Sequence, residues 1–530
     1  MSEFFSADIS MYEAAKQNVS GCTVKTAVSY YGKKYSFDRV FRWIDRLADN
    51  LFAEFGLRRC DTVTLCLPNA PSALIAFYAA NKTGAAVNLV HPFIPPENLK
   101  ESLQKTHSKL LFIYDLYQCG DFDFGVPTFV CNSAYYMGAA AKLYYRHTNK
   151  RAVKGGIPFE KYLKNRKNPQ ICAAEFDENE TAVYFASGGT TGEPKIIAHN
   201  NRVFNTLCCK AQEFLSEPLE HYKALYNVLP IFHGYGLGIN MHMCMLMRRT
   251  NIMCLKFNAR MSARQIVKER ANILTGVPTM FVKLLREKAF TQGDLSHIKD
   301  VYVGGDRTPS ALIEEFNAVL KRQGSRARMY VGYGLTETVN AVLVNTIRHH
   351  RENSIGYPLS GTKVLIMGEN GAAPCGEVGE IWLSSDQFML GYLNEPSPFV
   401  EFEGEKWLKT GDCGWVDADG YLYFKQRLKN IVKVSGVPVF PSEIESAVSE
   451  IAGIRKSCAV GIKDPVKGHV VRLFVECEPN ADRESIRTAV LDVCRRKLIS
   501  YAVPKEIVFE DRLPVSLIGK IDRKALESRE

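Results

Sequence analysis

Apolar residues along the first part of the chain follow two alternating patterns. From Phe37 to Phe55 they show the spacing of an amphipathic helix, which Ser36 can cap and Gly56 can end. Further helices and short apolar strands then alternate, with strands at 62–67, 85–90 and 110–114 and helices at 71–82 and 97–106. This alternation is typical of α/β units built around a parallel sheet. We therefore expect an α/β fold.

The pattern changes toward the carboxyl end. Short strands broken by glycine are predicted at 377–383 and 420–424, and they indicate a small β-rich unit. After Arg427 the order restarts as strand, helix, two strands and helix, which is enough for a separate α+β module. These observations predict a large amino-terminal domain at 1–428 and a small domain at 429–530.

A loop rich in glycine and hydroxyl side chains lies between apolar runs at 181–186 and 196–198. It consists of Ser187, Gly188, Gly189, Thr190, Thr191, Gly192, Glu193, Pro194 and Lys195. Its glycines can aim backbone N–H groups into a concavity, and its hydroxyls and lysine suit phosphate. It is not a Walker A motif, because Glu193 and Pro194 precede the lysine. The flanks make it a hairpin loop between two strands, which alone could be an ordinary flexible loop.

A second glycine-rich turn runs from Gly332 to Thr338. Glu337 stands where a dinucleotide-binding motif has its third glycine, so close packing over a pyrophosphate is not its purpose. The turn instead offers the aromatic face of Tyr333, the hydroxyl of Thr336 and a carboxylate, which fit adenine, phosphate and Mg²⁺ respectively. Taken alone, it could be merely a turn into a helix.

Three shorter motifs follow in order, at 407–412, 427–430 and 519–520. Together with the two glycine-rich segments they resemble the adenylate-forming superfamily of acyl-CoA synthetases, adenylation domains and beetle luciferases, and most of all its coumarate-CoA and fatty-acid-CoA ligases. The likeness spans the chain from Ser36 to Leu526. It implies a large domain with two α/β subdomains, each with a parallel-rich sheet, and a small β-barrel-like unit, followed by a small mobile α+β domain.

The resemblance also implies a role for each motif. The loop from Ser187 to Lys195 would hold the β- and γ-phosphates of ATP. The nucleotide would further contact Gly334 and Thr336, with adenine stacked on Tyr333. Asp412 would accept hydrogen bonds from both ribose hydroxyls, a role that an acceptor-only carboxylate can fill.

Four further residues receive roles from the same resemblance. Arg427 would also contact the ribose, and Glu337 would bind Mg²⁺. Lys520 would catalyse adenylation, and Lys429 would be the hinge about which related enzymes rotate the small domain between their two half-reactions.

The segment from Leu229 to Gly238 resembles the acyl pocket of the family, with His233 as a gate near the reacting carboxylate. A lone histidine is more often structural. No acidic residue lies between Leu229 and Met241, which favours an acid without an amine, because an ammonium needs a carboxylate partner. Aromatic and fatty acids both remain open. The predicted acid-binding residues are His233, Tyr235, Gly304, Gly305, Gly332 and Asn340.

The implied reaction is an ATP-dependent acid–thiol ligation. An aromatic or fatty acid would form an acyl-adenylate with release of pyrophosphate, and coenzyme A would then take the acyl group and release AMP. The alternative is a free-standing adenylation enzyme that loads the phosphopantetheine of an acyl carrier protein. A luciferase-like oxygenase and a silent binding protein are further alternatives, although the intact motifs count against silence.

Composition and charge limit the class of protein, its location and its partners. The 530 residues are 46% hydrophobic with a net charge of +10, as expected of globular material. No apolar run reaches the ~18 residues of a membrane helix and no signal-peptide pattern is present, so we expect a cytoplasmic monomer or homodimer. Residues 142–167 hold nine Lys and Arg against Glu160, which predicts a solvated connection or a site for a membrane surface or acidic partner. Nucleic acid is not expected, since no recognition motif accompanies the charge.

Overall fold

The structure is a computed structural model. It describes residues 6–17, 24–149, 153, 155–165, 169–186, 195–435, 437–464, 468–515 and 521–529. These described residues belong to two compact units. The larger unit comprises 1–363 and 384–407, and the smaller comprises 364–383 and 408–530. The boundary predicted between 428 and 429 stays a prediction.

One sheet of the larger unit has nine strands among the described residues, and its middle strands are parallel. The antiparallel strands lie at its two edges. In spatial order the strands are Tyr357–Pro358, Ala341–Val344, Met329–Gly334, Asp300–Val303, Ile273–Gly276, Ala224–Asn227, Thr250–Met253, Thr26–Tyr30 and Lys33–Ser36.

The second sheet of this unit has eight strands in the described part of the chain. It is parallel except for its first two strands, which join it antiparallel. Its strands, in spatial order, are Gly391–Tyr392, Ile196–His199, Val183–Ala186, Ala86–Leu89, Thr62–Cys66, Ser108–Tyr114, Thr128–Cys131 and Ile157–Pro158. The alternation of helices and strands predicted for the first part of the chain is thereby confirmed.

Helices connect the strands and bury their apolar faces against the sheets. The predicted first amphipathic helix is Phe37–Phe55, in which Ser36 Oγ accepts the Arg39 N–H at 3.3 Å and Gly56 ends the helix at φ 61°. Other helices of this unit are Met11–Gln17, Pro71–Lys82, Pro96–Lys105, Ala139–Thr148, Asn201–Cys209, Ala211–Phe214, Tyr235–Met243, Cys244–Leu246, Ala259–Glu269, Pro278–Leu285, Lys288–Thr291 and Ser310–Arg322. Among the helices in the described ranges, none combines the length and apolar character needed to cross a membrane.

The smaller unit contains β-strands followed by an α+β module. Its first strands are Thr362–Gly368, Gly371–Ala372, Gly379–Ser385, Glu405–Val416 and Leu422–Arg427, three of which begin or end in the larger unit. The module packs helices Pro441–Val448 and Arg483–Lys497 around a shared apolar cluster. Its strands are Val432–Val434, Val437–Val439, Ile454–Asp464, Gly468–Cys477 and Glu506–Glu510, and its last helix is Arg523–Glu527.

Candidate active site

The predicted phosphate loop is flanked by a hairpin. Strands Val183–Ala186 and Ile196–His199 pair antiparallel, with Ala186 opposite Ile196, which confirms the predicted strand-to-strand connection. Residues 187–194 of the loop lie outside the described residues, and with them the predicted nucleotide contacts Ser187, Gly188, Gly189, Thr190, Thr191 and Gly192. Lys195, the last residue of the loop, lies directly before the second strand of the hairpin. Its ammonium forms an ion pair with Glu395 and lies 4.7 Å from the centroid of the Tyr392 ring.

The second glycine-rich segment, from Gly332 to Thr338, consists of the end of a strand followed by a single 3₁₀ turn. Strand Met329–Gly334 carries Gly332, Tyr333 and Gly334, and the 3₁₀ turn covers Thr336–Thr338. A Cβ on Gly334 would lie 1.8 Å from the Asn340 carbonyl oxygen, so the chain can return here only past a glycine. The tight return brings the Asn340 backbone directly against Gly334.

Hydrogen bonds hold the 3₁₀ turn. The Leu335 N–H donates to Thr338 Oγ1 at 3.1 Å, and the Thr338 N–H donates to the Leu335 carbonyl at 3.2 Å. His199 Nε2 lies 2.8 Å from the Thr336 carbonyl oxygen and donates to it. Burial lowers the pKa of His199 to about 4, so its ring is neutral at physiological pH.

The Glu337 carboxylate is oriented by Tyr392, which sequence patterns did not single out. The Tyr392 hydroxyl donates to Glu337 Oε1 at 2.8 Å, and the Met389 N–H donates to the Glu337 carbonyl at 2.8 Å. Burial and the neighbouring carboxylate raise the pKa of Tyr392, which therefore keeps its proton. Carboxylate oxygens are the ligands that Mg²⁺ takes in proteins, so Glu337 fits the predicted metal. Sequence patterns did not reveal Tyr392 because its strand, Gly391–Tyr392, has only two residues and therefore shows no periodicity.

A cavity of about 150 Å³ lies beside the turn. All six residues predicted to bind the acid line it, together with Gly334 and Thr336 from the predicted nucleotide set. Among the described residues that line it, none is an aspartate, glutamate, lysine or arginine. Its lining residues are Phe214, Leu215, His233, Gly234, Tyr235, Ile239, Met243, Ile273, Thr275, Tyr302, Gly304, Gly305, Gly332, Gly334, Leu335, Thr336, Val339, Asn340, Ala341 and Val344.

A π-helix at Tyr235–Met243 forms one wall of the cavity. Such helices occur mostly as short bulges and often at functional sites. Gly234, just before it, packs so closely against the backbone of Val339 that a Cβ there would lie 1.5 Å from the Val339 carbonyl oxygen. Val339 itself has a φ of 63°, which is strained for a β-branched residue. The residue that precedes the helix is therefore in direct backbone contact with the turn after Glu337.

The far end of the π-helix is anchored by a buried chain of hydrogen bonds. Asn205 Nδ2 donates to the carbonyls of Ala7 and Ile9 at 3.1 and 2.9 Å, so its Oδ1 is the acceptor for His242 Nε2 at 2.9 Å. His242 Nδ1 then accepts the hydroxyl of Tyr78 at 2.9 Å. Burial lowers the pKa of His242 to about 3, which keeps this tautomer neutral.

The smaller unit brings together the residues predicted to contact ribose. Asp412 and Arg427 lie opposite each other on paired strands, with 3.4 Å between Asp412 Oδ1 and Arg427 Nε. Asp412 is only 2% exposed. Lys429 lies two residues after Arg427, and partial burial and the charge of Arg427 lower its pKa. Lys520 lies outside the described residues.

Family comparisons decide what kind of protein carries this arrangement. The family model described as AMP-binding enzyme matches residues 15–393, and the model described as AMP-binding enzyme C-terminal domain matches residues 443–520. The chain belongs to the AMP-binding enzyme family. The resemblance predicted from the motifs is therefore confirmed.

Individual relatives of this AMP-binding enzyme cover nearly all of it. It is 29% identical to a long-chain-fatty-acid–CoA ligase of Bacillus subtilis strain 168, over 96% of this chain and 92% of the relative. It is 28% identical to a feruloyl-CoA synthase of an Amycolatopsis species, over 94% of each chain. The crystal structure of the anthranilate CoA ligase AuaEII with anthranoyl-AMP matches with a TM-score of 0.81 at 21% identity, over 99% of this chain and 98% of that one. This likeness confirms the predicted fold class.

Proposed function

We propose that this AMP-binding enzyme is an ATP-dependent carboxylic acid–CoA ligase. Its co-reactants are a small carboxylic acid, ATP with Mg²⁺, and coenzyme A. The observation that carries the proposal is that the turn with Tyr333, Thr336 and Glu337 adjoins an apolar cavity lined by His233. Relatives named as CoA ligases for long-chain fatty acids and as feruloyl-CoA synthase support the same reaction.

The reaction has two steps. A carboxylate oxygen of the acid bonds to the α-phosphorus of ATP, the bond to the β-phosphate breaks, and pyrophosphate leaves. The thiol of coenzyme A then attacks the acyl carbonyl, and AMP leaves. Both partners of the first step are anions, so cations must neutralise the charge that develops between them.

We assign that charge to Lys520 at the α-phosphate and to Lys195 with its loop at the β- and γ-phosphates. Mg²⁺ held by Glu337 supplies further positive charge to the phosphate oxygens when it is bound. The hydroxyl of Tyr392 keeps the Glu337 carboxylate in one orientation. Thr336 adds a hydroxyl donor to the phosphates.

The remaining nucleotide contacts come from aromatic and carboxylate groups. Tyr333 stacks on adenine, and Asp412 and Arg427 bind the ribose. His233 stands at the cavity wall as a gate for the carboxylate end of the acid. Lys429 is the hinge that lets the smaller domain, with Lys520, change position between the two steps.

Replacement of Lys520 tests both the reaction and the two-step assignment. Lys520→Ala should abolish acid-dependent ATP–pyrophosphate exchange, because the charge at the α-phosphate is lost. Thioester formation from supplied acyl-AMP and coenzyme A should be largely preserved. Lys524→Ala, four residues further on and exposed, is the matched control. Equal loss of both half-reactions in Lys520→Ala would contradict the assignment.

A carrier protein is the second candidate for the acyl acceptor. Arg146, Lys161 and Lys164 are exposed within the basic segment, which suits an acidic carrier domain. Coenzyme A and a phosphopantetheinylated carrier protein should be compared as acceptors at equal concentration. A higher kcat/KM for coenzyme A is expected. A higher kcat/KM for the carrier that falls with salt would favour the second candidate.

A further inference from the structure

The cavity has an exposed end and a buried end. Among its lining residues Gly305 is exposed and Gly334, Leu335 and Thr336 are half-buried, and we call the lining at these residues the exposed end. Apart from Val339 beside the turn, five apolar lining side chains are exposed by 5% or less, and we call the wall that they form the buried end. These buried residues are Phe214, Leu215, Met243, Ile273 and Val344. Under the proposed function, an acid that presents its carboxylate near Thr336 has the apolar lining side chains, Phe214 and Leu215 among them, left to contact its tail.

The wall at the buried end is a short turn, residues 214–217, which we call the rear turn. The Tyr302 hydroxyl donates to the Phe214 carbonyl and lies 3.4 Å from Asp300 Oδ1. The Ser216 N–H donates to Asp300 Oδ2 at 3.3 Å, and the Ser216 hydroxyl donates to Asp300 Oδ1. The strand Asp300–Val303 thus lines the cavity through Tyr302 and also fixes its rear wall.

Further contacts reinforce this attachment. The Tyr222 hydroxyl donates to Asp300 Oδ2 and accepts the Glu217 N–H at 3.1 Å. Lys299 forms an ion pair with Glu217. Asp300 is 0% exposed and Tyr222 1%. Because opening the rear turn would leave a buried carboxylate with fewer donors, the wall is costly to move.

The hydroxyl groups near the buried end already have protein partners. Thr275 Oγ1 donates to Asn240 Oδ1 at 2.7 Å, and the Tyr235 hydroxyl donates to the Tyr302 carbonyl at 3.2 Å. The tail of a bound acid therefore meets apolar atoms there. A charged group on that tail would be buried without a counter-ion, which is strongly unfavourable.

The volume limits the size of the tail. An apolar cavity of about 150 Å³ holds one molecule of benzene's size, and this cavity has about that volume. We propose that the acid activated here has an uncharged, compact tail about the size of one aromatic ring, and that Phe214 and Leu215, held by Asp300, set this limit. The proposal rests on the proposed ligase function and chooses between the aromatic and long-chain acids that the motifs left open.

Four acids test the limit in a pyrophosphate-release assay with ATP and coenzyme A. Benzoate is the compact acid, terephthalate adds a second charge, 4-butylbenzoate lengthens the tail, and palmitate is the long-chain acid. We expect the wild-type kcat/KM for benzoate to exceed that for each of the other three by at least about tenfold, the scale at which apolar pockets discriminate added groups. A wild-type preference for palmitate or terephthalate would overturn the proposal.

Variants of the rear turn test the cause. Leu215→Ala should raise kcat/KM for 4-butylbenzoate relative to benzoate by at least about tenfold. Tyr302→Phe keeps the ring, removes the hydroxyl that holds Phe214, and should give a smaller gain in the same direction. Leu320→Ala truncates a leucine that is equally buried but lies outside the cavity, so it controls for lost stability. An unchanged ratio in Leu215→Ala contradicts the proposal.

A separate readout distinguishes the proposal from the proposed function. If no acid supports pyrophosphate release, the ligase function fails. Calorimetric titration of the same acids into wild type and Leu215→Ala then decides the size limit alone. The size limit is supported if wild type binds benzoate more tightly than 4-butylbenzoate and Leu215→Ala binds the two acids equally or prefers 4-butylbenzoate. It is overturned if both proteins bind the two acids with equal affinity.

Discussion

The exposed end of the cavity is lined by Gly305, Gly334 and the turn through Thr336, and two of these residues are glycines without a side chain. The buried end is lined by the apolar residues Phe214, Leu215 and Met243. At the first end Thr336 is followed by Glu337, whose partner Tyr392 lies under the ion-paired Lys195. The second end offers only apolar contact. Under the proposed function, the exposed end does the chemistry that every substrate acid shares, and the buried end chooses the acid.

The largest expected effect tests whether the two ends act independently. Glu337→Gln removes the charge proposed to hold Mg²⁺, and we expect it to lower the rate of pyrophosphate release by roughly 10²–10³, the cost of losing one strong electrostatic contact in the transition state. The ratio of kcat/KM between benzoate and 4-butylbenzoate should stay unchanged. Glu314→Gln, an exposed helical site, is the control. A changed acid preference in Glu337→Gln would show that the two ends are coupled.

A smaller effect is expected from the residue that orients Glu337. Tyr392→Phe keeps the ring beneath the Lys195 ammonium and removes only the hydrogen bond to Glu337. We expect the Mg²⁺ concentration for half-maximal rate to rise by about tenfold, as is usual when the partner of a metal ligand is lost. The rate at saturating Mg²⁺ should largely recover. If the Mg²⁺ dependence of Tyr392→Phe matches that of wild type, the hydroxyl has no positioning role.

The smallest effect concerns His199, whose ring donates a hydrogen bond to the Thr336 carbonyl. The buried ring of His199 has a pKa of about 4, against 6.5 ordinarily, so between these values the unfolded chain binds a proton that the folded chain does not. The free energy of unfolding must therefore decrease as the pH falls through this window, by at most about 1.4 kcal/mol per pH unit.

His199→Gln isolates this contribution, because the amide retains a donor for the Thr336 carbonyl and does not titrate. The melting temperature of wild type should drop more than that of the variant between about pH 7 and about pH 5. His242, with a lowered pKa as well, titrates in both proteins and cancels. Equal drops would remove His199 from the acid response.

Much of the exposed end was predictable, because its residues lie in short continuous motifs. Gly332 to Glu337 and His233 to Tyr235 need only local properties, such as a tight return past glycine or a hydroxyl next to a carboxylate. The hairpin around the phosphate loop followed from two apolar runs that flank it, and the structure confirms the pairing of its strands. The roles of Lys520, Asp412, Arg427 and Lys429 stay predictions.

The buried end was not predictable in the same way. Phe214 and Leu215 look like ordinary core residues, and Asp300 looks like an ordinary strand carboxylate. Nothing in their neighbourhood along the chain indicates that Asp300 receives hydrogen bonds from Ser216 and Tyr222, which precede it by 84 and 78 residues. Tyr392 was missed for the same reason, since its partner Glu337 lies 55 residues away.

The order of residues along the chain is therefore enough to establish the family, the α/β architecture and the set of groups at the exposed end. These features depend on glycine conformation, hydroxyl donors and apolar periodicity, which are properties of neighbouring residues. The size of the space left for the acid is a different kind of quantity. It depends on how the rear turn, the π-helix and four strands of one sheet close around a common volume. Close packing makes such a volume sensitive to every side chain that borders it. That closure came only from the folded chain.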